Sequence, residues 1–234
     1  MRKHKDVIPL GFWTIQRFLK AGFKIKELII KRQHNCKTSG FWYSNSIKYN
    51  FLLLAHEYLV VFKKDESQNI TKNSYNNNFA SIEIGDDLKT NLETTTVWIF
   101  NKEDWLKRSI ANVVKRYSAN NYYLFSSDKK EINIGKDLFI GFYDNHFPEF
   151  VELAKKYLKK DGFMVIITED IRLKNNLIFS SAIEIEKILN RGKEFKIKEI
   201  VILSIENQEV SDVPVKENLD ITHKYLLIYR KVSE

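Results

Sequence analysis

Lys31, Arg32, Gln33, His34, Asn35 and Lys37 fall within seven residues of one another. Such a mixture suits a polyanion, because Lys and Arg pair with phosphates while Gln and Asn can read base edges. The plainer alternative is a solvated loop that binds nothing. Phe41-Trp42-Tyr43 follows closely and either stacks on an extruded base or anchors its own loop by burial. His56-Glu57 would make an acid–base pair, but the corresponding stretch further on reads His223-Lys224, so the acid is not kept. Recurrence of the histidine alone points to a structural hydrogen bond at the start of a strand. Cys36 has basic neighbours that would lower a thiol pKa, yet a single cysteine has no defined partner. Asp170 and Arg172 either form an ion pair or face a crevice, and the structural option is preferred.

Charge is unevenly placed along the 234 residues. Residues 1–64 hold 13 Lys and Arg against 3 Asp and Glu, a balance of +10, whereas the remainder holds 25 against 27. A local basic segment attracts a polyanion more effectively than a high overall pI does. The single cysteine excludes an internal disulfide framework and a cysteine-rich zinc site. Apolar runs such as Phe51–Ala55, which stops at His56, fall far short of the ~20 residues that cross a bilayer. No signal-type apolar stretch follows the basic start. These features read as a soluble cytoplasmic protein with no membrane partner.

One arrangement of elements occurs twice. Gly11 to Ala21 carries Phe12, Ile15, Phe18 and Leu19 at helical spacing, with Gly22 suited to its end. Phe23 to Ile30 then alternates as a strand does, and His56 to Lys63 is a second strand. Later, a helix around Ala182 to Leu189 precedes Phe195 to Ile202, which matches the first strand with conservative apolar changes, and His223 to Arg230 matches the second. Even Asn35 has a counterpart in Asn207. The second copy extends upstream: Asp137 to Tyr143 as a buried strand, Phe147 to Lys159 as a helix opened by Pro148, and Phe163 to Ile167 as a central parallel strand. Thr96 to Phe100 and Tyr122 to Phe125 read as further strands, and Trp105 to Tyr117 as an amphipathic helix. The expected organisation is therefore residues 1–64, a linker or mobile loop over 65–96 rich in Ser, Asn and Thr, and an α/β domain over 97–234.

Arg2-Lys3-His4, Ile8-Pro9-Leu10, Lys31 to Asn35, Phe51-Leu52-Leu53 and Ala55-His56-Glu57-Tyr58 together resemble the later part of the bacterial DNA amino-methyltransferases. Those enzymes move a methyl group from S-adenosylmethionine to adenine N6 or cytosine N4. The resemblance is specific over residues 1–64 and weaker beyond. It implies a Rossmann-like methyltransferase fold: an incomplete N-terminal copy, then a degenerate second copy with a mostly parallel sheet and an antiparallel closing strand. It also implies that the chain starts inside such a domain, as a truncated gene, an alternative start or one piece of a split enzyme would.

Two motifs of that family are missing. Its Asp/Asn-Pro-Pro-Tyr/Phe loop cannot exist here, because Pro9, Pro148 and Pro214 are the only prolines. Its Phe-x-Gly-x-Gly loop, where absent side chains let the backbone approach the cofactor, has only a worn counterpart ending at Ser126 and Ser127. Tyr143, Asp144 and Asn145 stand where the proline motif belongs. The resemblance thus implies double-stranded DNA as a partner, contacted by Arg2, Lys3, Lys31, Arg32, Gln33, His34, Asn35 and Lys37. It implies a missing N-terminal catalytic part or second subunit, and S-adenosylmethionine as the parent family's cofactor, not held by this chain alone. No residue is expected to be catalytic and none to bind a metal. The alternative is a non-catalytic structural or protein-interaction α/β domain derived from a methyltransferase.

Overall fold

The computed structural model describes residues 2–3, 6–33, 40–64, 92–118, 121–126, 132, 135–206 and 219–232. In chain order the first unit is β1 (Arg2–Lys3), β2 (Asp6–Val7), α1 (Leu10–Lys20), β3 (Phe23–Arg32), α2 (Gly40–Lys48) and β4 (His56–Lys64). Next come β5 (Val97–Asn101), α3 (Trp105–Tyr117), β6 (Tyr122–Leu124), β7 (Lys136–Phe142), α4 (Phe147–Tyr157) and β8 (Leu158–Glu169). The chain closes with β9 (Ile171–Arg172), β10 (Ile178–Phe179), α5 (Ser181–Gly192), β11 (Phe195–Glu206) and β12 (His223–Lys231). The molecule is a mixed α/β structure with five helices among the described residues.

The repeat holds at the level of hydrogen-bond register. β3 pairs antiparallel with β4 from Phe23↔Lys64 to Arg32↔His56. β11 pairs antiparallel with β12 from Phe195↔Lys231 to Ser204↔His223. Adding 172 to β2 and to the paired part of β3 gives β10 and the paired part of β11, and adding 167 to β4 gives β12. The ladder shifts between Ile25 and Glu27 in one hairpin and between Ile197 and Glu199 in the other. Lys26 and Lys198 are thus the extra residues of equivalent bulges, a feature that fixes which side chains face which side.

The copies also exchange their short strands. β10 of the second copy pairs with β3 of the first through Ile178↔Ile25, while β2 of the first lies alongside β11 of the second. Asp6 in β2 accepts from Arg230 at 2.8 Å, and Arg172 in β9 holds Glu27 in β3 at 2.6 Å. Helices α1 and α5 meet between the sheets, where Trp13 Nε1 donates to Glu186 at 3.4 Å and Gln16 to the Ile183 carbonyl at 3.3 Å.

The larger sheet runs β5-β11-β12-β8-β7-β6. β6, β7 and β8 are mutually parallel, β12 is antiparallel to both its neighbours, and β5 is parallel to β11. Five of the six strands therefore point one way, with β12 as the antiparallel member that the sequence suggests. Met164, Val165, Ile166 and Ile167 of β8 are buried on both faces, as a central strand of such a sheet must be. One apolar cluster joins Phe12 and Ile15 of α1, Ile183 and Ile185 of α5 and Phe150 of α4 to the inner faces of both sheets. A second lies on the far face of the larger sheet, built on Ile110, Val113, Val114 and Tyr117 of α3 with Trp98, Val201, Leu226 and Ile228.

Several elements differ from the sequence reading. α4 ends at Tyr157 and the chain enters β8 directly. There the buried Lys231 ammonium donates to the carbonyls of Lys155 at 2.6 Å and Leu158 at 2.8 Å, a long-range cap that also places a cation at the helix's negative end. Residues 40–48 form α2, with Phe41, Trp42 and Tyr43 exposed and only Ser46 buried. The two small hairpins β1-β2 and β9-β10 are too short to leave a periodic signal. Of the expected linker, residues 65–91 lie outside the described residues. Its end is tied in, because Leu53 and Thr95 form a parallel bridge.

Candidate functional site

Parallel α/β sheets collect ligands at the carboxyl ends of their strands, and there Ser126, Tyr143, Asp144 and Asn145, expected from the sequence to mark worn motifs, come together. β6 and β7 run side by side with Leu124 opposite Ile140, so Ser126 just past β6 and Tyr143 just past β7 lie on the same edge. Ser127 is outside the described residues. The Asp144 carboxylate accepts from the His146 amide at 2.8 Å, and the Asp144 carbonyl accepts from the Phe147 amide at 3.2 Å. The loop is shaped by these bonds and by Phe147-Pro148 at the start of α4, instead of by paired prolines. The Tyr143 amide donates to the Ile167 carbonyl at 3.0 Å, and its ring meets Phe147 edge-on at 4.9 Å. Asn145 is exposed.

Aromatic packing fills the neighbouring positions. Phe125 is buried against Phe150 at 5.3 Å between ring centres, and Phe150 also meets Phe139 at 6.5 Å. A Cβ on Gly141 would stand 2.8 Å from the Phe150 ring, so this glycine makes room for the protein's own side chain and not for a ligand. The Asp144 carboxylate closes the turn ahead of α4, and Asn145 is left to solvent. Among its described residues the site lacks the bare backbone that close approach to a cofactor requires.

A matching polar network lies on each hairpin. His56 Nε2 meets the Tyr58 hydroxyl at 3.0 Å, and His223 Nε2 meets the Tyr225 hydroxyl at 2.9 Å, each histidine ring edge-on to its tyrosine. Tyr225 donates to Asp170 Oδ2 at 2.9 Å, and His223 Nε2 lies 3.4 Å from the same oxygen. His56 Nδ1 meets Thr96 Oγ1 at 2.9 Å, and that oxygen also accepts from the Ala55 amide at 3.0 Å. Burial, with a smaller contribution from His223, pushes the His56 pKa down to about 4. Burial and then the Asp170 charge push the Tyr58 phenol up, and burial does the same to Tyr225. At neutral pH the networks therefore contain a neutral His56 imidazole and two intact phenols. The structural reading of the paired histidines matches this geometry. Asp170 and Arg172 do not pair with each other: the carboxylate goes to Tyr225 and the guanidinium to Glu27.

The basic residues fall in two places. Lys31 and Arg32 are exposed at the end of β3, where Lys31 lies 3.6 Å from Glu57 and Gln33 donates to Glu57 at 2.8 Å. The exposed aromatics of α2 follow on the chain, and His34, Asn35 and Lys37 between them lie outside the described residues. Arg2 and Lys3 are in β1, whose partner β2 is docked on β11. Sequence reasoning missed Tyr58, Tyr225 and Thr96; the signal was available in the His-x-Tyr spacing shared by both copies.

No protein-family model matches this chain, and no curated protein does. Among solved structures, the chain is similar to one titled "a putative methyltransferase from Thermoplasma acidophilum", at a TM-score of 0.29 and 16% identity. The match spans 58% of this chain and 57% of that one.

Proposed function

We propose that this chain is a DNA-binding or accessory portion of an S-adenosylmethionine-dependent DNA amino-methyltransferase, inactive in methyl transfer by itself. The observation that carries the reading is the duplicated unit with its shared register and bulge. It favours a common origin for a first copy whose residues resemble that enzyme family and a second copy in which the motif positions have worn away. The parallel β6-β7-β8 run closed by antiparallel β12 supports the same reading.

S-adenosylmethionine does not fit the described residues at the ends of β6 and β7. Phe125 is packed on Phe150 where a glycine-lined approach is needed, and Asp144 is committed to the start of α4. None of the described residues at this edge is assigned a catalytic step. The DNA contribution falls to Lys31, Arg32 and Gln33 at the end of β3, with His34, Asn35 and Lys37 following and Arg2 and Lys3 as a separate contact.

Filter binding with duplex DNA across a salt series tests the reading. Expected is an affinity that falls steeply with salt, as counterion release requires; a flat, absent response removes DNA from it. Methyl transfer from labelled S-adenosylmethionine by the pure chain is expected to be nil, and measurable transfer would refute the claim of inactivity. One observation favours the alternative of a protein-interaction domain: β4 pairs only with β3 among the described residues, and Ile29, Leu59 and Val61 form an exposed apolar group on the outer face between charged residues.

A further inference from the structure

The two hairpins share register and bulge but differ in what surrounds them. In the second, β12 is flanked by β8, and Val201, Leu226 and Ile228 are at most 1% exposed. They lie in the cluster formed with Ile110 and Val113 of α3 and with Trp98. Their counterparts in the first hairpin are Ile29, Leu59 and Val61, which are 36%, 50% and 46% exposed. Position for position, the first hairpin lacks a strand along β4 and an apolar layer over its outer face, among the described residues. An edge unpaired among the described residues is a template for strand addition, and three neighbouring apolar side chains on one face add to it.

We infer that β4 and the Ile29-Leu59-Val61 face dock a second polypeptide, which supplies an apolar strand antiparallel to β4 and an apolar layer over that face. The second copy states the chemistry of the occupant. Opposite β12, β8 places five apolar or small residues, Met164 to Thr168, against Tyr225 to Tyr229. At one end Lys224 is paired with Glu169, and near the other Arg230 reaches Asp161 at 2.8 Å. In β4 the position of Lys224 is held by Glu57 and that of Arg230 by Lys63. Glu57 is already met by Gln33 at 2.8 Å and Lys31 at 3.6 Å within its own hairpin, so the incoming strand differs from β8 in carrying no acid opposite Glu57, where a like charge would repel. A second copy of this chain cannot donate β8 itself, because that strand is already flanked by β7 and β12. The inference rests on reading residues 1–64 as the closing part of a larger unit, and it is independent of DNA contact.

The test uses the full chain and, as probe, a fluorescein-labelled synthetic peptide of the Leu158–Glu169 sequence carrying Glu169→Lys. Expected are saturable one-to-one binding and slowed amide hydrogen exchange over residues 56–64, with residues 223–231 unchanged. Leu59→Asp, at a half-exposed position, should weaken the peptide about tenfold, as should Val61→Asp; circular dichroism confirms that each variant is folded. The peptide retaining Glu169 should bind more weakly than the lysine version. Binding that leaves residues 56–64 unprotected overturns the inference. So does protection in the peptide-free chain: if it depends on protein concentration the edge belongs to a second copy, and if it does not, this chain covers its own edge. Loss of DNA binding in the salt series would leave the peptide result untouched, so the two readings fail separately.

Discussion

Lys26 and Lys198, 172 residues apart, are the extra residues of equivalent β-bulges in two hairpins of identical register. A bulge resets the alternation of everything beyond it, so both hairpins use it to turn one side of the strand toward the shared apolar cluster. Deleting Lys26 forces residues on one side of the bulge to change faces. The expected loss is about 3 kcal/mol, read as a fall in the urea midpoint. Lys26→Ala, which keeps the residue count at an exposed position, should stay within about 0.5 kcal/mol of the parent.

Acid should destabilise the protein through His56. Its pKa lies at about 4 in the folded chain, below the ordinary 6.5, so between those values the unfolded chain binds the proton and the folded chain does not. Stability from this group is complete above pH 6.5 and declines as pH falls toward 4, by at most about 3 kcal/mol. Urea titrations at pH 7.5 and 5 should show the decline in the parent, and His56→Gln should flatten that part of the profile.

How much of this was readable beforehand depends on whether a contact leaves a local trace. The strand His56–Lys64 was legible because its burial alternates at a period of two, and Phe23–Arg32 because it alternates at its start and ends apolar. Phe195–Glu206 and His223–Lys231, buried almost throughout, were legible because they read as apolar runs matching the first pair. The helix Trp105–Tyr117 was legible for the same kind of reason at a period of 3.6. The early end of the helix at Tyr157 was not, since its cap is Lys231 from the far end of the chain. The helix Gly40–Lys48 was missed because it buries only a serine and so shows no apolar stripe. The pairing of Ile178 with Ile25 joins residues whose neighbours carry no common pattern. Of the candidate site, Ser126, Tyr143, Asp144 and Asn145 were placed on one sheet edge by strand order alone, but the Phe125–Phe150 packing beside them depends on side chains from two elements.

Arg172 and Glu27 tie the copies together, with Glu27 only 11% exposed at its side chain. Arg172→Ala leaves that carboxylate without its cation and should cost about 3 kcal/mol. Glu27→Gln combined with Arg172→Ala should cost less than the sum of the two single changes. Thermal melts on the four proteins of the cycle give the coupling.

On DNA, Lys31→Ala and Arg32→Ala should each reduce the slope of log affinity against log salt by about 1, while weakening all duplex sequences alike. Gln33→Ala should leave the slope unchanged. If the slope is indifferent to both cations, the end of β3 is not the phosphate contact.

The exchange of short strands has a consequence for how the molecule comes apart. Each half keeps a piece of the other's sheet, so severing the chain somewhere between residues 64 and 92 should yield two fragments that stay associated, held as the subunits of a swapped dimer are held. The covalent link is then a matter of stoichiometry and local concentration, and the grip between the halves is mechanical. Expressed from separate messages, residues 1–64 and 92–234 should find each other and restore the parent's thermal transition.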